Sequence, residues 1–256
     1  MTPVARWAEV HRLAVAGREA GIARDVGGRV GRVWLARSRF ADVARLAELT
    51  LTLGKDARAS YQLGWAKDAT GDRAAALAAY GQALRLYRAA ADRAGEAVTL
   101  SNMGAVYDGL GERQRALEYF GQALPIRREV GDRAGEAATL NNIGEVYRGR
   151  GELQRALEYY GQALPIRREV GDRAGEAVTR YNRAVIHRAQ GGARPSSRRA
   201  GAGCRAGPPG RPPRPAVRHR DAPPRTPGAG ELGPGARVAM TPVVRWVEVH
   251  RLTLTA

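Results

Sequence analysis

The stretch GERQRALEYFGQALPIRREVGDRAGEA at residues 111–137 returns as GELQRALEYYGQALPIRREVGDRAGEA at 151–177, and the copies differ only at Arg113/Leu153 and Phe120/Tyr160. The period is therefore 40 residues. A more diverged copy, GDRAAALAAYGQALRLYRAAADRAGEA, occupies 71–97, and RYNRAVIHRAQG at 180–191 opens a further unit. A period of this size marks a stacked array, because each unit is too small to bury its apolar face alone and does so against its neighbours.

Within a unit, apolar and small residues fall at helical spacing in two bouts. In the best-preserved copy these are Leu140, Ile143, Gly144 and Tyr147, then Leu153, Ala156, Tyr160, Ala163 and Leu164, with turn residues at Gly149 to Gly151 between them. Each unit thus predicts a helical hairpin. Gly144 and Ala156 offer flat surfaces for close helix approach, and Tyr147, Tyr160 and Leu164 fill the space toward the next hairpin. Asp132 and Asp172 each follow a glycine and precede a helical run, the position of an N-cap, with Glu136 and Glu176 adding negative charge in the first turn. Pro125 and Pro165 sit inside the second helix. Their rings oppose the carbonyls of Gly121 and Gly161, where the backbone relaxes most easily, so a bend is expected and not a break.

The order Leu/Ile-Gly-x-x-Tyr, then Gly, Ala, an aromatic and Ala-Leu resembles the tetratricopeptide repeat. The 40-residue period with GDRAGEA between units resembles the repeats of kinesin light chains, Pins-type adaptors and bacterial signalling proteins. The resemblance covers 57–191 as about three full units and a half unit. A fainter hairpin is expected at 24–56, through Val30, Gly31, Trp34, Phe40, Val43, Ala47 and Leu51, behind an N-terminal helix at 1–23. Lys67 and Arg183 depart from the pattern. The resemblance implies an all-α, right-handed superhelix whose first helices line a concave groove for a protein or peptide partner. It also implies that the residue before each Leu/Ile-Gly pair faces that groove, where an asparagine can bond both N–H and C=O of an extended peptide. Those positions are Asn102, Asn142 and Asn182, with Gln62 in the earlier copy; a solvated or capping role is the other reading. Asparagine is a mediocre helix-interior residue, so its recurrence at one position calls for a reason. Neighbouring groove candidates are Asn141, Glu145, Arg148, Asp108 and Arg188. Their mixed charges differ from a basic clamp for a carboxylate terminus, which favours an internal peptide segment or a folded partner.

Nothing in the chain offers comparable chemistry. His11, His187, His219 and His250 are scattered, without the spacing of metal ligands or a nearby carboxylate pair. The glycines of GGRVGR at 27–32 are followed by no Gly-Lys-Ser/Thr. Cys204 is the single cysteine, which excludes an intramolecular disulfide framework and a cysteine-based zinc cluster. The expectation is a protein without catalytic residues, metal or cofactor. Charges at Arg6, Glu9 and Arg12 interrupt any signal-peptide stretch, and there is no membrane-spanning apolar run, so the expected location is the cytoplasm.

The net charge of +17 is concentrated late in the chain. Residues 193–239 hold ten arginines against Asp221 and Glu231, a net of +8, together with ten of the fourteen prolines. Such a segment is expected to be disordered, since proline removes donors and too few large apolar groups are present to offset chain entropy. Nucleic-acid binding through this tail is the second functional reading, disfavoured because aromatics for base stacking are absent from it. MTPVVRWVEVHRL at 240–252 then repeats MTPVARWAEVHRL at 1–13. Arg, Ala, Gly and Pro are what GC-rich codons yield out of frame, and shifting plausible codons by one base permits an amphipathic helical peptide. The favoured expectation is a frameshift near residue 192 running into the start of an adjacent paralogous gene, which adds a frameshifted remnant of a tetratricopeptide repeat gene to the alternative functional readings. The alternative is a Pro/Arg-rich linker followed by a duplicated short helix at 240–256.

Overall fold

The computed structural model describes residues 3–191, so the sequence-based expectations for 192–239 and 240–256 lie outside the described residues. The described residues form α1 (Pro3–Ala16), α2 (Ala20–Ala36), α3 (Phe40–Leu51), α4 (Ala57–Ala69), α5 (Arg73–Ala89), α6 (Arg93–Gly109), α7 (Arg113–Glu129), α8 (Arg133–Gly149), α9 (Leu153–Glu169) and α10 (Arg173–Gly191), with no strand among them. Helices pack in chain order, and the tightest partnerships are α4 with α5, α6 with α7 and α8 with α9. These are three hairpins in a helical solenoid.

What brings each pair close is an aromatic ring laid on a glycine. A Cβ added at Gly64, Gly104 or Gly144 would stand 2.7, 2.9 or 2.7 Å from the ring of Tyr80, Phe120 or Tyr160, sixteen residues onward. All three rings are fully buried. Tyr160 also reaches Ile186 on α10, so the same ring that closes one hairpin supports the next. Alanines at 76, 116 and 156 and at 83, 123 and 163 are fully buried on the same second helices, keeping the backbones near.

The turns follow from local chemistry. Asp92, Asp132 and Asp172 accept from the N–H groups of Gly95, Gly135 and Gly175 at 2.8, 2.8 and 2.9 Å, as the sequence predicts for Asp132 and Asp172. Gly131 and Gly171 precede two of these caps at φ of 70°, a conformation a side chain resists. The diverged copy places Ala91 there at φ 53°. Helices α7 and α9 run unbroken through Pro125 and Pro165. An added Cβ at Gly121 or Gly161 would touch nothing, so the backbone there has room to adjust.

A lattice of ion pairs joins successive hairpins. Arg88 and Arg93 converge on Glu96, and Arg93 extends to Glu129, 36 residues on, at 2.7 Å. Arg128, Arg133, Glu136 and Glu169 repeat the arrangement. Burial raises the Glu96 pKa, but the hydrogen bonds from Arg88 and Arg93 outweigh it and hold that carboxyl below its ordinary value.

At the N-terminal end, α1 is seated by a buried histidine. His11 Nε2 lies 2.8 Å from Thr50 Oγ1, and the Thr50 hydroxyl donates to the Leu46 carbonyl, so the ring nitrogen is the donor of the pair.

Two predictions follow from this packing. Gly144→Val should cost about 1–3 kcal/mol in a urea titration, through overpacking against Tyr160; an unchanged midpoint would show that the approach is not tight. Burial lowers the His11 pKa from 6.5, so the unfolded chain takes up the proton first, and the seat's stability is present above that value and falls as pH drops below it. Hydrogen exchange in α1, corrected for intrinsic rates, should therefore accelerate between pH 7.5 and 5.5, and His11→Leu should flatten that dependence.

Candidate functional site

The first helices of successive units touch one another, α2 on α4, α4 on α6, α6 on α8 and α8 on α10, while second helices make no comparable contact. A stack is concave on the side where its elements approach, so the first helices form the inner surface. On α6 and α8 a stripe of half-exposed residues runs along one side: Val98, Asn102, Ala105 and Asp108, then Ala138, Asn142, Glu145 and Arg148. This i, i+4, i+7, i+10 spacing is one helix face.

The candidates from the sequence divide on this surface. Asn142 lies on the stripe, and its carboxamide makes no hydrogen bond to any described residue. Asn102 is half-buried and donates to the Tyr61 hydroxyl at 2.8 Å, and the Tyr80 hydroxyl is also within hydrogen-bonding reach of its carboxamide. Glu145 and Arg148 pair with each other, and Glu145 also accepts from the Tyr160 hydroxyl at 3.0 Å. The Glu145 partnership raises the Arg148 pKa, fixing its charge. Gln62, Asn141 and Asn182 are buried. Gln62 donates to the Gly28 carbonyl at 3.1 Å, binding α4 to α2, and Asn141 accepts from Thr179 at 2.9 Å, binding α8 to α10. The Gln62 and Asn141 side chains are committed to bonds between helices, whereas the buried Asn182 Nδ2 has no hydrogen-bond partner among the described residues. Asp108 stays at the C-terminal end of the stripe and Arg188 is exposed on α10.

Two features escaped sequence reasoning. Ser101 and Thr139, with hydroxyls 3.4 Å apart and both buried, form the same rung between α6 and α8 that Asn141 and Thr179 form one unit later. The signal was present, since Thr99, Thr139 and Thr179 recur every 40 residues. At the N-terminal end of the stripe, Tyr61 packs against Tyr80 and Trp65 at ring distances of 5.8 and 6.4 Å. Burial, foremost, raises the Tyr61 pKa, so its hydroxyl stays protonated.

Comparison with known proteins accords with this geometry. Family profiles described as Tetratricopeptide repeat match residues 57–89, 82–129 and 135–199. The chain belongs to the tetratricopeptide repeat family. Among solved structures, BtubC (BKLC) from P. vanneervenii is similar at 17% identity, covering 80% of this chain and 99% of its own, with a TM-score of 0.55. The apo form of RapI is similar at 16% identity, covering 72% of this chain and 62% of its own, with a TM-score of 0.50. MamA aligns at 19% identity over 66% of this chain and 94% of its own, with a TM-score of 0.47. At these identities the likeness is one of fold. Curated protein sequences give no significant match.

Among the described residues no cluster of three His, Cys, Asp or Glu side chains is placed to hold a metal ion, and no helix is long and apolar enough to cross a membrane. Tetratricopeptide repeats form protein-interaction scaffolds, and the committed polar rungs should matter to the array before they matter to a ligand. Asn141→Ala leaves the buried Thr179 hydroxyl without its partner and should cost about 1–3 kcal/mol. Hydrogen exchange should accelerate in α10 ahead of α6; uniform acceleration would contradict the local role.

Proposed function

We propose that this protein is a non-enzymatic cytoplasmic scaffold, part of a bacterial signalling or regulatory system, that holds an extended internal segment of a partner protein along its first helices. Asn142 carries the reading: it sits on the inner stripe with its donor and acceptor both uncommitted among the described residues, one unit beyond Asn102 on the same stripe. A carboxamide there matches the alternating N–H and C=O of an extended backbone. Glu145 and Arg148 beside it, with Asp108 on the preceding helix, present both charge signs, which suits a segment of mixed charge. The Tyr61 and Trp65 rings offer an apolar stop at the N-terminal end. Gln62 and Asn141 support this surface by tying neighbouring first helices together.

Nucleic-acid binding through the arginine-rich tail is the competing reading, and salt separates the two because neutralising phosphates releases counterions. The test uses a random peptide library displayed on phage against the full chain, followed by calorimetry with an enriched peptide. Asn142→Ala with Arg148→Ala should raise the Kd at least tenfold, about 1.4 kcal/mol, with unchanged circular dichroism. Binding that is indifferent to both substitutions, or no enrichment, overturns the groove reading. Affinity for an oligonucleotide that falls steeply with salt and disappears without 192–256 would favour the tail instead.

A further inference from the structure

Among the described residues, the first and last helices of the stack are halves of one hairpin. Twelve residues before the N-caps Asp92, Asp132 and Asp172 stand Tyr80, Phe120 and Tyr160, the rings that seat on a glycine of their own first helix. Twelve residues before Glu19, the N-cap of α2, stands Trp7. By this register α1 is a second helix, and the face it would turn toward a first helix is bare. Trp7, Val10 and Leu13 are 47%, 40% and 54% exposed. Their counterparts on α7, Phe120, Ala123 and Ile126, are buried.

Helix α10 shows the opposite half. Twelve residues after Asp92 and Asp132 stand Gly104 and Gly144, the seats of those rings, and twelve after Asp172 stands Ala184. Ala184 is exposed, as is Ala177, whose counterparts Ala97 and Ala137 are buried against a second helix. Tyr181, 59% exposed, replaces the buried Ser101 and Asn141. The inner face of a first helix is thus open at one end, and the inner face of a second helix is open at the other.

We propose that the protein stacks head to tail, with α1 of a second copy occupying on α10 the place that α7 and α9 occupy on α6 and α8. Trp7 of the second copy takes the seat at Ala184, and Val10 and Leu13 cover Ala177 and the flank of Tyr181. The contact continues the stacking that already runs through the chain, since α1 is then followed by its own α2 as α7 is by α8. The interface is heterologous, so it propagates and does not close on a dimer. Glu176 pairs with Arg180 on α10 and Glu9 with Arg12 on α1, and with Arg173, Arg183 and Arg188 on one helix and Arg6 on the other, both helices stay net positive. Apolar burial therefore drives the contact against a like-charge repulsion that salt screens. Association should strengthen with ionic strength, opposite to phosphate binding by the tail.

The test is sedimentation velocity of the full chain across a hundredfold concentration range at low and moderate salt. Wild type should form growing species, more at moderate salt. Trp7→Asp and Ala184→Glu, both at exposed positions, should keep their helical signal and each stay monomeric, shifting the association constant at least tenfold. Mixed together, each supplies the end the other lacks, so they should form a dimer that grows no further. Wild type that stays monomeric throughout, larger species that persist in either variant, or a mixture without dimer overturns the proposal. Residues 240–252 repeat the sequence of residues 1–13, with Trp246 in the place of Trp7. A monomeric wild type that begins to associate on Trp246→Asp would assign the seat to the chain's own segment and overturn the second copy as occupant.

Discussion

The seat of an aromatic ring on a helical glycine is the contact on which this architecture depends. At Gly64, Gly104 and Gly144 the absence of a side chain lets Tyr80, Phe120 and Tyr160 lie against the first-helix backbone. With the rings in place the buried alanines can touch, and the hairpin closes to a fixed depth. Because Tyr160 also meets Ile186 on the following helix, closure within a unit and stacking between units are one event. A solenoid assembled this way gains little from any single hairpin and much from neighbours.

Polar residues divide between holding the array together and remaining available to something else. The Arg–Glu lattice at the outer turns repeats every 40 residues because it bridges equivalent points of consecutive units. On the inner side, Thr179 with Asn141 and Gln62 with the Gly28 carbonyl consume hydrogen-bonding groups that would otherwise face solvent. Asn142 and the Glu145–Arg148 pair are left on the surface those bonds create. A recognition surface here is the residue of packing: the array first satisfies its buried groups, and what survives on the inner stripe can address a partner.

The same accounting explains why Asn141 and Asn142, adjacent in sequence, have opposite situations. In an α-helix neighbouring residues point about 100° apart. One therefore enters the seam between α8 and α10 while the other stays on the stripe. Arg127 shows a similar conversion of a surface-type residue. Its guanidinium is bonded to the cap residue Asp132 and lies against Gly135, buried where the diverged unit has Tyr87 against Gly95. Bulk at that position is served by a ring or by a guanidinium, provided the facing residue is glycine.

The sequence by itself determined the 40-residue period, the hairpin within it, the aspartate caps and the passage of helices through Pro125 and Pro165. Each of these rests on spacing or on the chemistry of a few consecutive residues. It also placed Asn102, Asn142, Glu145 and Arg148 at candidate positions, through recurrence and a family resemblance. Only the tertiary structure decided that Asn142 is uncommitted among the described residues while Gln62 and Asn141 are spent. Those outcomes depend on partners 34 and 38 residues away in sequence, Gly28 and Thr179, brought near by stacking. Tertiary structure likewise decided that Trp7 and Ala184 are exposed, because exposure records which neighbours are present, and local sequence pattern carries no information about an absent one.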